Sequence, residues 1–225
     1  MTPFELLVES PTSPAERLEI ISTICRRWLP GVAAQPLAAS LPARVETIPP
    51  VLSAFFEIIA PFKSALFRQN YFLTSGEPRV EGDRLVFYCE NQTVCRWATS
   101  ATADDPLVYG QLAGIAEWFL EEPTLSGFLV QAVLLELGLG GKSYGASASW
   151  LDPNVVAGLA RQFKELPFGS WRFPAYPTRL FVRPDSVMVV APNEGGFSVY
   201  VSCLSRDEAA FLGPVVDETW DFVKL

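Results

Sequence analysis

Two short runs of β-forming residues, at 85–89 and 93–97, dominate the pattern of hydrophobic and polar positions along the chain. The polar residues Glu90, Asn91 and Gln92 separate the two runs. Such an arrangement is typical of a β-hairpin, because the polar break supplies the turn and the flanking runs pair with each other. We therefore predict a hairpin over residues 84–97, with helices and further strands arranged around it.

Five other segments repeat apolar residues at helical spacing, and each begins at a capping or proline signal. These signals are Ser13 with Glu16, Pro49-Pro50, Thr124, Asp152-Pro153, and Ser205 with Glu208. The predicted helices are 14–29, 51–60, 125 to about 137 with Gly138, Gly140 and Gly141 ending it, 153 to about 163, and a short one that ends at Gly213.

Strand signals lie between these helices and dominate the last third of the chain. Residues 166–177 are rich in proline and aromatic residues, but they are too apolar for a solvated linker between domains. We therefore predict one continuous α+β domain over residues 1–225, with a β-rich C-terminal extension from about residue 166. The predicted strands are 67–73, 107–109, 179–183, 187–191 and 197–203, the last three antiparallel and joined by turns at Pro184-Asp185 and at 193–196.

The composition excludes several kinds of chemistry. The 225 residues include no histidine, which removes Ser-His-Asp and Cys-His catalysis and every histidine-containing zinc site. The four cysteines, Cys25, Cys89, Cys95 and Cys203, have no CxxC spacing, which indicates buried free thiols. Cys89 and Cys95 would face each other across a three-residue hairpin loop but not across a two-residue loop, so their pairing stays open. We predict no cofactor and no metal site.

The net charge of −8 argues against nucleic-acid binding and favours a neutral or basic partner. Residues 1–14 contain acidic residues and prolines where a signal peptide needs a basic start and an apolar core. The longest apolar tract, 125–139, is interrupted by Ser126, Gln131 and Glu136 and is too short to span a bilayer. We expect a soluble, cytoplasmic protein with reduced thiols and no membrane contact.

Residues 138–143, GLGGKS, resemble a phosphate-binding loop only superficially. The first glycine of such a loop would fall at Glu136, and the segment follows a helix instead of a strand. The adjacent carboxylates Asp104-Asp105 and Glu121-Glu122 are predicted to be solvated charges of a loop and a helix start. Together these four carboxylates are our candidate contact surface for a basic protein partner.

The tryptophans Trp97, Trp118, Trp150 and Trp171 are predicted to be mainly core residues. The alternative is that they line an aromatic pocket, in which case the chain would be a small-ligand-binding or regulatory module.

Four motifs occur in a fixed order between residues 41 and 137: the proline-started helix, an E-N-Q turn with a following tryptophan, a D-P-x-V-Y segment, and a helix that begins T-L-x-x-F-L. This order resembles the SUKH superfamily, whose bacterial members largely look like immunity proteins for polymorphic toxins. The chain departs from the usual pattern at Thr93, where a small residue commonly follows E-N-Q, and at Leu107, where a second proline is commoner. The signature residues here are Glu90, Asn91, Gln92, Trp97, Pro106 and Tyr109.

The resemblance implies a single α+β domain with a mixed, mostly antiparallel, curved sheet covered by helices. It also implies a non-enzymatic protein without catalytic residues, which binds and occludes a cognate toxin. Many such toxins present basic surfaces, and an acidic protein complements them. For the Glu90–Asn91–Gln92 turn, two interpretations stay open: its side chains cap the neighbouring backbone, or they contact the partner directly.

Overall fold

The structure is a computed structural model that describes residues 2–9, 13–31, 48–73, 79–140, 144–169 and 171–225. Over these residues the chain combines helices with two mostly antiparallel sheets, which makes it an α+β protein, as predicted. The helices are α1 Pro3–Val8, α2 Pro14–Trp28, α3 Pro50–Ile59, α4 Lys63–Leu66, α5 Leu125–Gly140, α6 Pro153–Ala160 and α7 Arg206–Ala209. The strands are β1 Asn70–Phe72, β2 Arg79–Glu81, β3 Arg84–Glu90, β4 Cys95–Ser100, β5 Val108–Leu112, β6 Phe119–Glu122, β7 Tyr144–Leu151, β8 Lys164–Glu165, β9 Arg179–Arg183, β10 Ser186–Asn193, β11 Gly196–Cys203 and β12 Phe222–Lys224.

The chain divides into two compact units. The first unit is Thr12–Val133, and the second unit combines Met1–Pro11 with Leu134–Leu225. Strands β1 to β6 form one six-stranded sheet and β7 to β12 form another, so two sheets take the place of the single sheet that the resemblance implied. The second sheet already begins at β7, ahead of the extension predicted from about residue 166. The single-domain prediction stays a prediction.

The predicted hairpin is the antiparallel pair of β3 and β4 in the first sheet, whose order is β1-β3-β4-β5-β6 with β2 also paired to β3. The register shifts between Val86 and Tyr88, so Phe87 is an extra residue on β3. Because side chains alternate along a strand, this bulge puts Val86 and Cys89 on one face and Tyr88 on the other. The bulge therefore decides which hairpin side chains enter the core.

The predicted helix starts are confirmed. Pro50 is the first residue of α3, as the proline signal indicated. Side-chain oxygens accept backbone N–H groups at four other starts, which satisfies donors that a helix leaves unpaired in its first turn. The pairs are Ser13 with Glu16 at α2, Thr124 with Gly127 at α5, Asp152 with Asn154 at α6, and Ser205 with Glu208 at α7.

Aromatic side chains form the core of the first unit. The ring of Phe72 on β1 lies 5.0 Å from that of Phe55 on α3 and 4.3 Å from that of Tyr88 on β3. Tyr88 in turn lies 5.1 Å from Trp97 on β4 and 5.8 Å from Phe128 on α5. Ring pairs at these separations stabilise a core beyond the area that they bury. Helices α3 and α5 therefore cover the same face of the first sheet.

The second sheet has the order β12-β7-β11-β10-β9-β8. Strands β9, β10 and β11 confirm the three antiparallel strands predicted for the last third of the chain. Strand β7 was not predicted, because its sequence YGASASWL consists largely of small residues. The packing requires such a residue at Gly145, where φ is +154° and an added Cβ would lie 2.0 Å from the carbonyl oxygen of Val201. Only glycine fits this close to β11.

Helix α5 continues to Gly140, beyond the predicted end near Leu137. Gly138 does not end the helix but packs against β10, where an added Cβ would lie 2.4 Å from Cγ2 of Val189. The carbonyl oxygen of Gly138 accepts the hydroxyl of Ser202 at 3.1 Å. The rest of the GLGGKS segment, Gly141 to Ser143, lies outside the described residues.

Candidate functional site

The side chain of Glu90 closes the turn between β3 and β4. Its carbonyl oxygen accepts the N–H of Thr93 at 2.9 Å, and its Oε2 accepts the N–H groups of Gln92 and Val94 at 2.8 and 3.2 Å. Asn91 and Gln92 are exposed at the tip. Glu90 therefore caps the backbone of the turn, which is the first of the two interpretations. A partner contact through Asn91 or Gln92 stays a prediction.

Trp97 is fully buried, and its indole nitrogen donates to Oε2 of Glu121 at 3.0 Å. Gly110 of β5 lies directly opposite Trp97. An added Cβ at Gly110 would stand 2.8 Å from the same carboxylate oxygen and 2.5 Å from the ring of Phe119. The absence of a side chain at Gly110 therefore leaves the space through which Glu121 reaches the indole from β6.

Glu122, the last residue of β6, also points into the first unit. Its Oε2 accepts a hydrogen bond from the side-chain amide of Gln131 on α5 at 2.7 Å. An added Cβ at Gly127, in the first turn of α5, would lie 3.1 Å from the other oxygen, Oε1. Glu122 therefore ties β6 to the beginning of α5.

Asp105 holds the N-terminus of α5. Its Oδ1 accepts the backbone N–H of Ser126 at 2.7 Å, and its Oδ2 accepts the hydroxyl of Ser126 at the same distance. Arg17 of α2 donates to the hydroxyls of Thr124 and Ser126 at 2.8 and 2.9 Å, and its Nη1 lies 4.0 Å from Oδ2 of Asp105. A carboxylate at a helix N-terminus also interacts favourably with the helix dipole. The D-P and T-L motifs of the sequence are therefore neighbours in space.

These contacts correct the predicted acidic contact surface. Glu121 and Glu122 belong to a strand, not to a loop or helix start, and only 7% and 4% of their surface is exposed. Asp105 is largely covered by its contacts with α5, so Asp104 is the one exposed member of the four. Adjacent strand residues normally point to opposite faces, but β6 changes register against β5 at this point and both glutamates turn inward.

Arginines and aromatic rings occupy the opposite face of the first sheet, away from α5. The guanidinium carbon of Arg84 lies 3.8 Å from the ring centre of Tyr109, and that of Arg96 lies 5.4 Å from the ring centre of Trp118. Arg96 also donates from Nη1 to Glu81 at 2.6 Å and from Nε to Gln111 at 2.7 Å. Cations above aromatic faces are attracted by the ring quadrupole.

A groove of about 650 Å³ opens beside Arg96 on this face, and the sequence interpretation missed it. The available signal was that Arg84 and Val86 on one hairpin strand, and Arg96 and Ala98 on the other, are two positions apart and therefore share a face of the sheet. The bulge at Phe87 interrupts that alternation on β3, so a strict period of two does not place Cys89 beside Val86.

All four cysteines are buried and free, as predicted. Cys89 lies opposite Arg96, and Cys95 lies opposite Leu112 of β5, so the two hairpin cysteines do not face each other. Burial raises the pKa of the Cys89 and Cys203 thiols. Burial, with the nearby Glu121 carboxylate, raises the pKa of Cys95 to about 12. Thiols with raised pKa values are poor nucleophiles at neutral pH.

The four tryptophans do not assemble one pocket within either unit. In the first unit, Trp97 lies in the core and Trp118 packs on the opposite face of the same sheet. In the second unit, Trp171 is buried, whereas Trp150 is 47% exposed and donates from Nε1 to the carbonyl oxygen of Glu194 at 3.0 Å. The expectation of mainly core tryptophans therefore holds for Trp97 and Trp171 and is wrong for Trp150.

Within the described ranges, no three acidic or cysteine side chains are grouped so that they could hold a metal ion. None of the helices in the described part of the chain has the length and apolar character needed to cross a membrane. In comparisons with known proteins, the chain matches no family model, no curated protein and no solved structure.

Proposed function

We propose that the chain is a SUKH-like, non-enzymatic binding protein that neutralises a cognate toxin in the bacterial cytoplasm by direct protein–protein contact. The observation that carries this proposal is that residues of the motifs make structural contacts that join neighbouring elements of the first unit. Glu90 closes the hairpin turn, Trp97 joins β4 to β6 through Glu121, and Asp105 holds the start of α5. If these motifs are the signature of a shared fold, their residues are expected to have structural roles of this kind.

The charge distribution supports a basic partner. The net charge is −8, and complementary charge accelerates association and disfavours wrong partners. With Glu121 and Glu122 buried, the carboxylates that can meet a partner are exposed ones. In the first unit Asp104 is one of them, and in the second unit Asp207, Asp217 and Glu218 are others. We assign the partner contact either to Asp104 or to these three carboxylates of the second unit.

Co-expression with the toxin-like product of a neighbouring gene tests the proposal. The expected result is restored growth of a bacterial host and elution of the two proteins as one stoichiometric complex. Growth arrest that the chain does not relieve, together with separate elution of the two proteins, would contradict the proposal.

Charge reversal then locates the contact. Asp104→Lys and Glu218→Lys each probe one unit, and reversal of a charge at the rim of an interface lowers the association rate more than it changes the dissociation rate. We expect at least one of the two variants to associate several-fold more slowly than the unmodified chain in surface plasmon resonance at low salt. Asp83→Lys is the control, because Asp83 is also an exposed carboxylate, next to Arg84, but is outside the proposed contact.

A further inference from the structure

The groove on the outer face of the first sheet has no task in the proposed toxin contact. Its volume of about 650 Å³ lies within the range of roughly 300–1,000 Å³ that small-molecule sites occupy. Val86, Cys89 and Arg96 contribute to its floor, and Tyr71 and the segment 112–116 contribute to its rim. The groove is formed entirely by residues of the first unit.

Arg96 is held in place within this groove. It spends two of the five guanidinium N–H groups on Glu81 and Gln111, and Gln111 is itself fixed by a hydrogen bond from its side-chain amide to the carbonyl oxygen of Ala116 at 2.8 Å. No described residue takes the other three N–H groups of Arg96, and we assign them to a ligand. A guanidinium that neighbouring groups already orient loses little freedom when it binds an anion.

Arg79 supplies a second positive charge. It lines the same groove from β2, is exposed, and forms no ion pair with another described residue. Burial raises the pKa of the Cys89 thiol, and the positive charges of Arg96 and Arg79 both oppose that rise. Both guanidinium groups line the groove near Cys89, and among the described residues Glu81 is the acidic group that opposes them there.

Most of the remaining lining side chains are apolar, and some of them are exposed. Leu73 and Val86 are buried beneath the groove, while Tyr71 is 38% exposed and Ile115 is 50% exposed at its rim. Exposed aromatic and aliphatic side chains next to oriented donors are the usual composition of a small-molecule site. A flat apolar group would fit against Tyr71 and Ile115 while an attached anion reaches the arginines.

We propose that this groove binds a small organic anion, in which a carboxylate or phosphate group is joined to a planar apolar ring. The anion pairs with Arg79 and Arg96, because a planar guanidinium matches the geometry of both oxyanions. The ring lies against Tyr71 and Ile115. This site is separate from the toxin contact proposed above and does not depend on it.

The test is a ¹H–¹⁵N NMR titration of the full chain with phenylacetate and phenyl phosphate, which distinguish a carboxylate from a phosphate. Probes of this size bind with dissociation constants on the order of 1 mM. We expect saturable shifts of amides in 111–116 and at Thr93 with at least one of the two probes. Benzyl alcohol tests the ring without the charge, and inorganic phosphate tests the charge without the ring; both should bind at least several-fold more weakly.

Arg79→Gln removes one charge from an exposed position and should leave the spectrum otherwise unchanged. It should weaken binding of the anionic probe about tenfold, the usual effect of losing one charge-assisted hydrogen bond. Arg161→Gln, an exposed arginine of the second unit, is the matched control and should bind as the unmodified chain does. Absence of saturable shifts with both anionic probes overturns the proposal, as does unchanged affinity in Arg79→Gln. The proposal is also overturned if benzyl alcohol binds as tightly as the anionic probes. It is overturned as well if inorganic phosphate does so, because the groove then binds an adventitious ion only.

Discussion

Replacement of Thr93 by glycine should stabilise the protein, although it removes a side chain. Thr93 ends the turn that Glu90 closes, and its φ of +60° lies in the left-handed region. In this region the Cβ of an L-residue crowds the following carbonyl group, and a β-branched side chain is especially unfavourable there. Glycine has no Cβ and adopts this conformation freely. The resemblance had already marked the position as one where a small residue is usual.

Three contributions determine the change in the free energy of unfolding: one stabilises the variant and two destabilise it. Relief of the left-handed conformation is worth roughly 1–2 kcal/mol. The greater freedom of glycine in the unfolded chain costs roughly 0.4–1 kcal/mol. The substitution also removes an exposed hydrogen bond, in which the Thr93 hydroxyl donates to the carbonyl oxygen of Gln92 at 2.6 Å. Such a bond is worth about 0.5 kcal/mol, at the low end of the usual range, because water can replace it. We expect a net increase of about 0.3 kcal/mol in the free energy of unfolding.

Urea denaturation followed by circular dichroism measures this difference. Thr102→Gly is the matched control, because Thr102 is also exposed and also bonds through its hydroxyl, to Ser100, but has no positive φ. It should lower the free energy of unfolding by roughly 0.9–1.5 kcal/mol, the cost of the greater freedom of glycine together with that of the lost hydroxyl bond. Thr93→Ala keeps a Cβ and should gain less than Thr93→Gly. If Thr93→Gly is destabilised as much as Thr102→Gly, backbone strain at Thr93 is not significant and the reasoning is refuted.

Three further outcomes are expected. Asp105→Ala should lower the free energy of unfolding by about 2 kcal/mol, because it removes two hydrogen bonds to Ser126 and leaves Arg17 without its carboxylate, whereas Asp104→Ala should stay within about 0.5 kcal/mol of the unmodified chain in urea denaturation. Gly110→Ala should cost about 1–3 kcal/mol in the same assay, since its Cβ would collide with the ring of Phe119, and an unchanged midpoint would contradict that packing. The folded-state pKa of Cys95 is about 12, above the ordinary 9.0, so the folded chain keeps this proton more tightly than the unfolded chain does. The contribution of the protonated thiol to the free energy of unfolding is therefore complete below pH 9 and falls as the pH rises towards 12. Cys95→Ala should therefore lose less stability than the unmodified chain between pH 8 and pH 10.

Local signals located much of the fold. Ser13 with Glu16, Thr124 and Asp152 lie within a few residues of the backbone groups that they cap, so their pattern is complete in a short stretch of sequence. The hairpin was likewise predictable, because its two strands are adjacent in the chain. Strand β7 was not, since its small residues are explained only by the approach of β11, which follows it at a distance in sequence.

The candidate sites also depend on contacts between residues that are distant in the sequence. Glu121 and Glu122 look like surface charges in sequence, and they are buried because a register shift in β6 turns both towards Trp97 and Gln131. The groove with Arg79 and Arg96 joins strands whose pairing is altered by the bulge at Phe87. Beyond a bulge, the side chains of a strand lie on the opposite faces from those that strict alternation predicts, and no residue in the strand itself predicts the bulge.

The sequence by itself determined the α+β class, the starts of five helices, the hairpin at 84–97, the free cysteines and the acidic charge. Each of these follows from composition or from interactions between residues close in the chain. Only the tertiary structure decided that Gly138 and Gly145 are packing positions, that there are two sheets, and that the sheet face away from α5 carries the arginines. Those features arise from strand register and close approach between distant segments, where the free energy depends on which surfaces meet.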